Sequence, residues 1–182
     1  MAVPEVANGG DYRVEEDRTL AIAIDAVEDD DIGVVQALAR SIWFAHYPGI
    51  ISWAQVHYML ERGYARDAIA AELRNGVRWS VVRVADRSVG FCAYRKRDAD
   101  VSLDKLYVEA AARRTGAARL CVDSAAAFAR DNALGSVSLT VNKRNLVAIR
   151  AYLAMGFSFA GALVKDIGGG FVMDDYVMRK FV

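Results

Sequence analysis

No charge of one sign dominates this chain of 182 residues: Lys plus Arg and Asp plus Glu both number 23, for a formal net charge of zero. A nucleic-acid footprint would need a basic excess on some face, so no nucleic-acid partner is expected. No apolar run approaches the ~18 residues of a membrane-spanning helix. The N-terminal stretch also lacks a basic region followed by an apolar core, so neither a membrane partner nor a secretory signal is expected. Cysteine is scarce. Cys92 and Cys121 sit inside apolar segments at no metal-ligand spacing, so no metal site is expected and the thiols read as small buried hydrophobes in a reducing cytoplasm. Internal repeats are missing as well. What remains is 54% hydrophobic residues against 25% charged, the balance of one globular domain long enough for a sizeable core.

Residues 1–18 mix Gly9-Gly10 with a Glu15-Glu16-Asp17 run and show no period, so a loose tail is expected there and the domain over residues 19–182. A short apolar strand is expected over Leu20–Ala26. Glu28 to Asp31 then offers capping groups and a dipole-matched first turn for a helix carrying Ile32, Val35, Leu38, Ala39, Ile42 and Trp43 at helical spacing. His46-Tyr47-Pro48-Gly49 ends it. Further helices are expected over Trp53–Arg62, capped by Ser52, and over Asp67–Leu73. Strands follow over Val77–Ala85 and Val89–Arg95, joined through Asp86-Arg87-Ser88, and then over Val101–Val108. A helix over Thr115–Arg130, a strand over Val137–Val141 and a helix over Asn145–Ala154 complete the middle of the chain, with Gly156 as C-cap. Two last strands, Phe157–Lys165 and Phe171–Arg179, flank Gly168-Gly169-Gly170. Because that triplet joins strand to strand, it reads as a hairpin turn and not as a phosphate loop. The order implies an α/β domain with a mixed, mainly antiparallel sheet.

The chemistry concentrates in Asp104 to Leu120, DKLYVEAAARRTGAARL. A strand ends in Leu106-Tyr107-Val108, a loop carries Arg113 and Arg114, and Gly116 opens a helix. Glycine lets backbone amides approach a ligand with no Cβ in the way. The first helical turn offers unpaired N–H groups and partial positive charge. Two arginines beside it make a site for a multiply charged anion such as a pyrophosphate.

Arg113, Gly116 and Ala118, read as Arg-x-x-Gly-x-Ala, resemble the acyl-CoA signature of the GNAT superfamily of N-acyltransferases. The following block, SVSLTVNKRNLVAIRAYLAMGF over Ser136–Phe157, resembles the superfamily's next strand and its Asn-containing helix ending in Tyr-x-x-x-Gly-Phe. Ala110 stands where a proline is usual. The resemblance, distantly to a polyamine-acetylating branch, implies a sheet of about seven strands splayed between the fourth and fifth. It also implies acetyl-CoA as co-substrate. Leu106, Tyr107 and Val108 would then flank the pantetheine arm, Arg113, Arg114, Thr115, Gly116, Ala117 and Ala118 would form the pyrophosphate turn, and Asn145 would bond the arm.

Acyl transfer from a thioester to an amine requires a proton removed from the amine, a polarised carbonyl and a stabilised thiolate. An alkyl amine with a pKa near ~10.4 is only about 0.04% neutral at pH 7, a cost of roughly 4.6 kcal/mol. Asp104, four residues before Val108 on the central strand, is the expected base, with Glu109 and an ordered water behind it. The resemblance implies that the backbone N–H of Val108, at the end of this strand, polarises the carbonyl. Tyr152, two turns beyond Asn145 and on the same helix face, is the expected acid for the leaving sulfur. Trp43, His46, Tyr47, Trp53, His57 and Tyr58 are expected near the acceptor, the histidines first as structural groups. The expected function is a cytoplasmic N-acetyltransferase for the primary amine of a small molecule, polyamine or amino-acid-like, with homodimerisation allowed. The alternatives are a peptide or protein N-acetyltransferase and a non-catalytic acyl-CoA-binding module.

Overall fold

Alternation of apolar and polar residues dictates most of the sheet, and a computed structural model of the protein, describing residues 21–182, gives its order. Seven strands run β1 (Ile22–Ala26), β2 (Arg78–Val84), β3 (Arg87–Lys96), β4 (Val101–Val108), β5 (Ser136–Asn142), β6 (Ser158–Gly168) and β7 (Phe171–Phe181), arranged β1-β2-β3-β4-β5-β7-β6. Every neighbouring pair is antiparallel except β4 with β5. This is the mixed, mainly antiparallel α/β sheet expected from the element order. The expected loose tail, residues 1–18, and Leu20 of the first strand lie outside the described residues.

Among the described residues five α-helices cover the two faces: α1 (Ile32–His46), α2 (Trp53–Tyr64), α3 (Arg66–Arg74), α4 (Ala117–Asp131) and α5 (Leu146–Ala154). One core layer joins α4 and α5 to the sheet through Cys92, Leu103, Val137, Leu139, Cys121, Ala125, Ile149 and Met178. The other places Ile32, Val35, Trp43, Val56 and Ile69 of α1 to α3 against Trp79, Phe91 and Ala93. The alanines of α4 have a use here: Ala125 and Ala129 are fully buried, so small side chains let the helix lie close on the strands. Cys92 and Cys121 are buried free thiols. Among the described residues no helix is long and apolar enough to cross a membrane.

Several boundaries moved for identifiable reasons. Between β2 and β3 the turn is Ala85-Asp86, both at positive φ (48° and 64°), the geometry that matches the twist of two antiparallel strands. Helix α4 begins at Ala117, because Gly116, its N-cap, sits at φ 103° while Thr115 Oγ1 donates to Ala112 O at 2.8 Å. Ala110, which stands where a proline is usual, opens a single 3-10 turn over Ala110–Ala112. The last two strands run longer than expected, and Gly168, Gly169 and Gly170 between them all have positive φ. The triplet is a hairpin turn, with its tip against α2: a Cβ on Gly168 would lie 2.7 Å from the Tyr58 hydroxyl and one on Gly169 2.9 Å from Tyr58 Cε2.

Gly90 of β3 sits opposite Val108 of β4, where an added Cβ would press on the Tyr107 carbonyl oxygen and come within 3.1 Å of Val108 Cα. Both neighbours are backbone and cannot swing aside. Gly90→Ala should therefore destabilise the protein by about 1–3 kcal/mol, read as a lower urea midpoint at unchanged slope.

Candidate active site

The site exists because β4 and β5 part company. They pair only at Val101 with Val137 and at Ser102 with Ser138. Beyond that point β4 is bent by a bulge: Tyr94 pairs with Leu103 and Ala93 with Lys105, which leaves Asp104 as the extra residue. Past the bulge the Glu109 amide donates to Val89 O at 2.8 Å. Amide direction alternates along a strand, so the N–H groups of Val108 and Leu106 point the other way, into the gap that β5 has left. A cleft of about 660 Å³ runs through this gap and shares Trp43, Asp104, Tyr107 and Lys165 as lining with a second of about 530 Å³ between α2 and the β6–β7 hairpin.

Leu106, Tyr107, Val108, Arg113, Ala118, Asn145, Tyr152 and Asp104 all line the larger cleft. At its far end, Arg113 and Arg114 are exposed and Arg114 takes φ 66°. In the first turn of α4, Leu120 N bonds Gly116 O and Ala117 N meets Thr115 Oγ1 at 3.4 Å. The amides of Ala118 and Arg119 have no such partner among the described residues. Arg114, Thr115, Gly116 and Ala117 thus shape the turn beside the cleft instead of lining it.

Three residues remote in sequence meet there. Asn145 caps α5, its Oδ1 accepting from Ala148 N at 3.2 Å, and the same oxygen lies 3.1 Å from His46 Nε2. Arg113 Nη2 lies 3.3 Å from His46 Nδ1. One tautomer satisfies both contacts: Nε2–H donates to Asn145 and Nδ1 accepts from Arg113. His46 is therefore neutral, and burial, with the Arg113 charge adding, lowers its pKa against the opposing Asn145 bond. With its oxygen engaged, Asn145 has only its Nδ2 donors left for a ligand.

A cluster of tyrosines fills the mouth of the gap. Tyr47 and Tyr107 hydroxyls lie 3.4 Å apart, and Trp43 stacks on Tyr47 with centroids 4.3 Å apart. Tyr152 enters from the α5 side and packs on Phe157. Burial pushes the Tyr152 phenol well up, the nearby Tyr47 and Cys121 adding to it. Burial raises Tyr47 and Tyr107 likewise, so all three keep their protons at neutral pH.

The carboxylates differ in how they are held. Asp104 is the bulge residue, and both its oxygens are engaged: Oδ2 by Arg95 through two guanidinium nitrogens, Oδ1 by Ser102 Oγ at 2.6 Å. Lys105, the next residue along the strand, reaches Glu72 of α3 at 2.9 Å. Glu109 is paired with Arg87 at 2.7 Å. Asp175 of β7, only 6% exposed, also lines the cleft and has an Oδ1 with no hydrogen-bond partner. Sequence reading passed over it, although its parity in FVMDDYVMRK placed it with Met173 and Val177 on one face. His57 and Trp53 both pack against Phe44, neither of them lining the cleft.

Comparison with known proteins bears on this geometry. The sequence model of the Acetyltransferase (GNAT) family matches residues 37–157. The PaiA N-acetyltransferase of Thermoplasma acidophilum, solved with coenzyme A, superposes with a TM-score of 0.75 at 18% identity, over 89% of this chain and 99% of that one. Ard1 of Thermoplasma volcanium gives 0.65 at 22% identity over 89% and 98% of the two chains. The ribosomal-protein-S18-alanine N-acetyltransferase of Escherichia coli gives 0.63 at 15% over 89% and 94%. At such identities the structures speak for the fold. A search of curated proteins finds no significant sequence match.

The His46 contacts make a prediction about pH. Its folded pKa lies below the ordinary 6.5, so between those two values the unfolded chain binds more protons and stability rises with pH. The contribution is complete above 6.5 and is lost as the pH falls below it. Urea unfolding at about pH 5.5 and about pH 7.5 should show a larger acid loss in wild type than in His46→Gln. Equal losses would mean that the ring is not held neutral.

Proposed function

Because the chain belongs to the acetyltransferase (GNAT) family, we propose that it transfers the acetyl group of acetyl-CoA to the primary amine of a small, amino-acid-like molecule. The observation that carries this reading is the gap between β4 and β5, with free strand amides on one side and a protonated tyrosine on the other. Acetyl-CoA supplies an activated thioester. The coenzyme A held by the PaiA relative supports a site for it here, and the local groups fit: unpaired amides opening α4, exposed Arg113 and Arg114, and a glycine at φ 103° leaving the turn bare. Leu106 and Val108 offer strand amides to the pantetheine arm, the Val108 amide polarises the thioester carbonyl, and Asn145 Nδ2 offers one more donor.

Tyr152 serves the leaving sulfur. An ordinary phenol facing a thiol is already about 2 kcal/mol short of full proton transfer, and burial makes Tyr152 a still weaker acid. Its role is to donate a hydrogen bond that strengthens as charge develops on sulfur. Asp104, clasped by Arg95 and Ser102, keeps the task of holding the protonated amine on the acceptor side.

The acceptor side is enclosed. Tyr58 Oη and Arg62 Nη1 both donate to Ile167 O, at 2.7 and 2.8 Å, tying α2 to the hairpin over the smaller cavity. This favours a small molecule over a folded protein or peptide. Its wall carries Arg62, Lys105 and Lys165 beside Asp104 and Asp166, and mixed charge suits an acceptor bearing an acid as well as an amine better than a polyamine. Two buried free thiols suit a cytoplasmic setting. The long outer strand β6, with Phe159 52% and Val164 67% exposed, offers an edge on which a second copy could pair.

Release of CoA thiol should be measured over a panel of amino acids, polyamines and peptides, with the highest kcat/KM expected for an amino-acid-like amine. Tyr152→Phe should lower turnover by a factor on the order of 10²–10⁴ with coenzyme A affinity nearly unchanged by calorimetry. Turnover confined to proteins would overturn the acceptor assignment. Unchanged turnover in Tyr152→Phe would move the acid elsewhere.

A further inference from the structure

Three buried side-chain polar atoms lack a hydrogen-bond partner among the described residues: Trp43 Nε1, Arg179 Nε and Asp175 Oδ1. The last is a carboxylate oxygen, and leaving one unpaired inside a protein is costly unless something else comes to it. Its position says what that something is. On β7, Asp175 pairs in register with Asn142 of β5 and Leu163 of β6. Met178, three residues on, belongs to the core layer of α4 and α5, so strand alternation turns Asp175 to the opposite face, that of α1 and α2. Its neighbour two residues back, Met173, accepts a hydrogen bond from Gln55 of α2 on that face. Tyr152 reaches the gap from the α4 and α5 side. The two groups therefore stand on opposite faces of the sheet at the place where β4 and β5 separate, and both line the same cleft.

We propose that Asp175, and not Asp104, is the group that takes the proton from the acceptor amine. This rests on the acetyltransferase reading above and completes it. The ammonium docks on the acceptor face and gives one proton to Asp175 Oδ1, leaving a neutral amine. The nitrogen lone pair then forms the C–N bond to the acetyl carbon while the C–S bond breaks. The nitrogen's second proton accompanies the sulfur, which leaves as the thiol with Tyr152 donating along the way, and Asp175 returns its proton to solvent. The products are an amide, a thiol and one proton, which balances the charge of the ammonium that entered.

Asp104 is poorly placed for this task, because both its oxygens already accept hydrogen bonds, one from Arg95 and one from Ser102. Asp175 is differently surrounded. Thr140 approaches it from β5 and Tyr47 faces it from α1. Its strand neighbour Asp174 and the nearby Lys143 are spent on each other at 2.5 Å. Lys165 of β6 stands in the same cleft with no ion pair among the described residues. Burial first, and the Asp174 charge second, push the Asp175 carboxyl up from 3.8 to about 6, against Thr140 and Lys143. A base with that pKa is ionised at neutral pH yet about 100-fold more basic than an ordinary aspartate.

The test compares wild type, Asp175→Asn, Asp175→Glu and Asp104→Asn, using benzylamine and the best amine of the panel as strongly basic acceptors and hydroxylamine as one already neutral at pH 7. Wild type should lose kcat/KM with the basic amines as the pH falls through about 6. Asp175→Asn should slow those amines on the order of 10²-fold at pH 7, lose the acid limb, recover as the pH rises towards the amine pKa, and keep its rate with hydroxylamine. Asp175→Glu should restore part of the rate. Thermal melting serves as the folding control, and removing a buried unpaired charge should leave Asp175→Asn at least as stable as wild type at pH 7. Equal slowing with basic amines and hydroxylamine would mean a positioning role and overturn the proposal, as would a pH-independent ratio or the acid limb vanishing in Asp104→Asn instead. If wild type acetylates none of the amines, acetyl transfer itself is refuted, a result distinct from a wild type that works and an Asp175 variant that works equally well.

Discussion

Everything at the site depends on one failure of pairing. Two parallel strands that begin in register at Val101 and Ser102 would, if they continued, satisfy each other's amides and close the sheet. The extra residue at Asp104 bends β4 away, and from there the N–H groups of Leu106 and Val108 face open space. Backbone donors left unpaired inside a protein are costly. A structure that keeps them implies a ligand with acceptors at strand spacing, which is how a pantetheine arm presents its two amides. The same opening lets a residue on one face of the sheet, Tyr152, share a cleft with residues on the other.

The surroundings hold that opening in place. Gly90 lets β3 approach β4 where its backbone turns outward. His46 ties the end of α1 to the arginine loop and to the cap of α5, so three segments that share no strand are fixed by one neutral ring. On the acceptor side, Tyr58 and Arg62 fasten the hairpin tip to α2. The glycines there serve close approach as well as turn geometry, since side chains on Gly168 or Gly169 would collide with the Tyr58 ring. Charge follows the same logic. On the wall of the acceptor cavity Asp104 and Lys105 are held in ion pairs, whereas Asp175, in the larger cleft, keeps an Oδ1 with no hydrogen-bond partner among the described residues.

Much of this was legible in the residues. Period-2 and period-3.6 patterns determined the order of strands and helices, and Gly116 after two arginines marked the turn that opens α4 because only local backbone geometry is needed there. The spacing from Asn145 to Tyr152 likewise belongs to a single helix, so both could be placed in one cleft from sequence. What sequence alone could not decide were relations across the sheet. A bulge adds one residue and reverses the parity of everything beyond it, and nothing in VSLDKLYV signals where it falls. Tertiary structure gives Asp104 to Arg95 and Ser102 and gives Lys105 to Glu72. His46 and Asn145 lie 99 positions apart, and no periodicity connects them. Asp175 is one of two adjacent acids on a strand. Only the packing of α1 and α2 over that face, which buries its carboxyl and leaves Oδ1 without a partner, makes it different from Asp174.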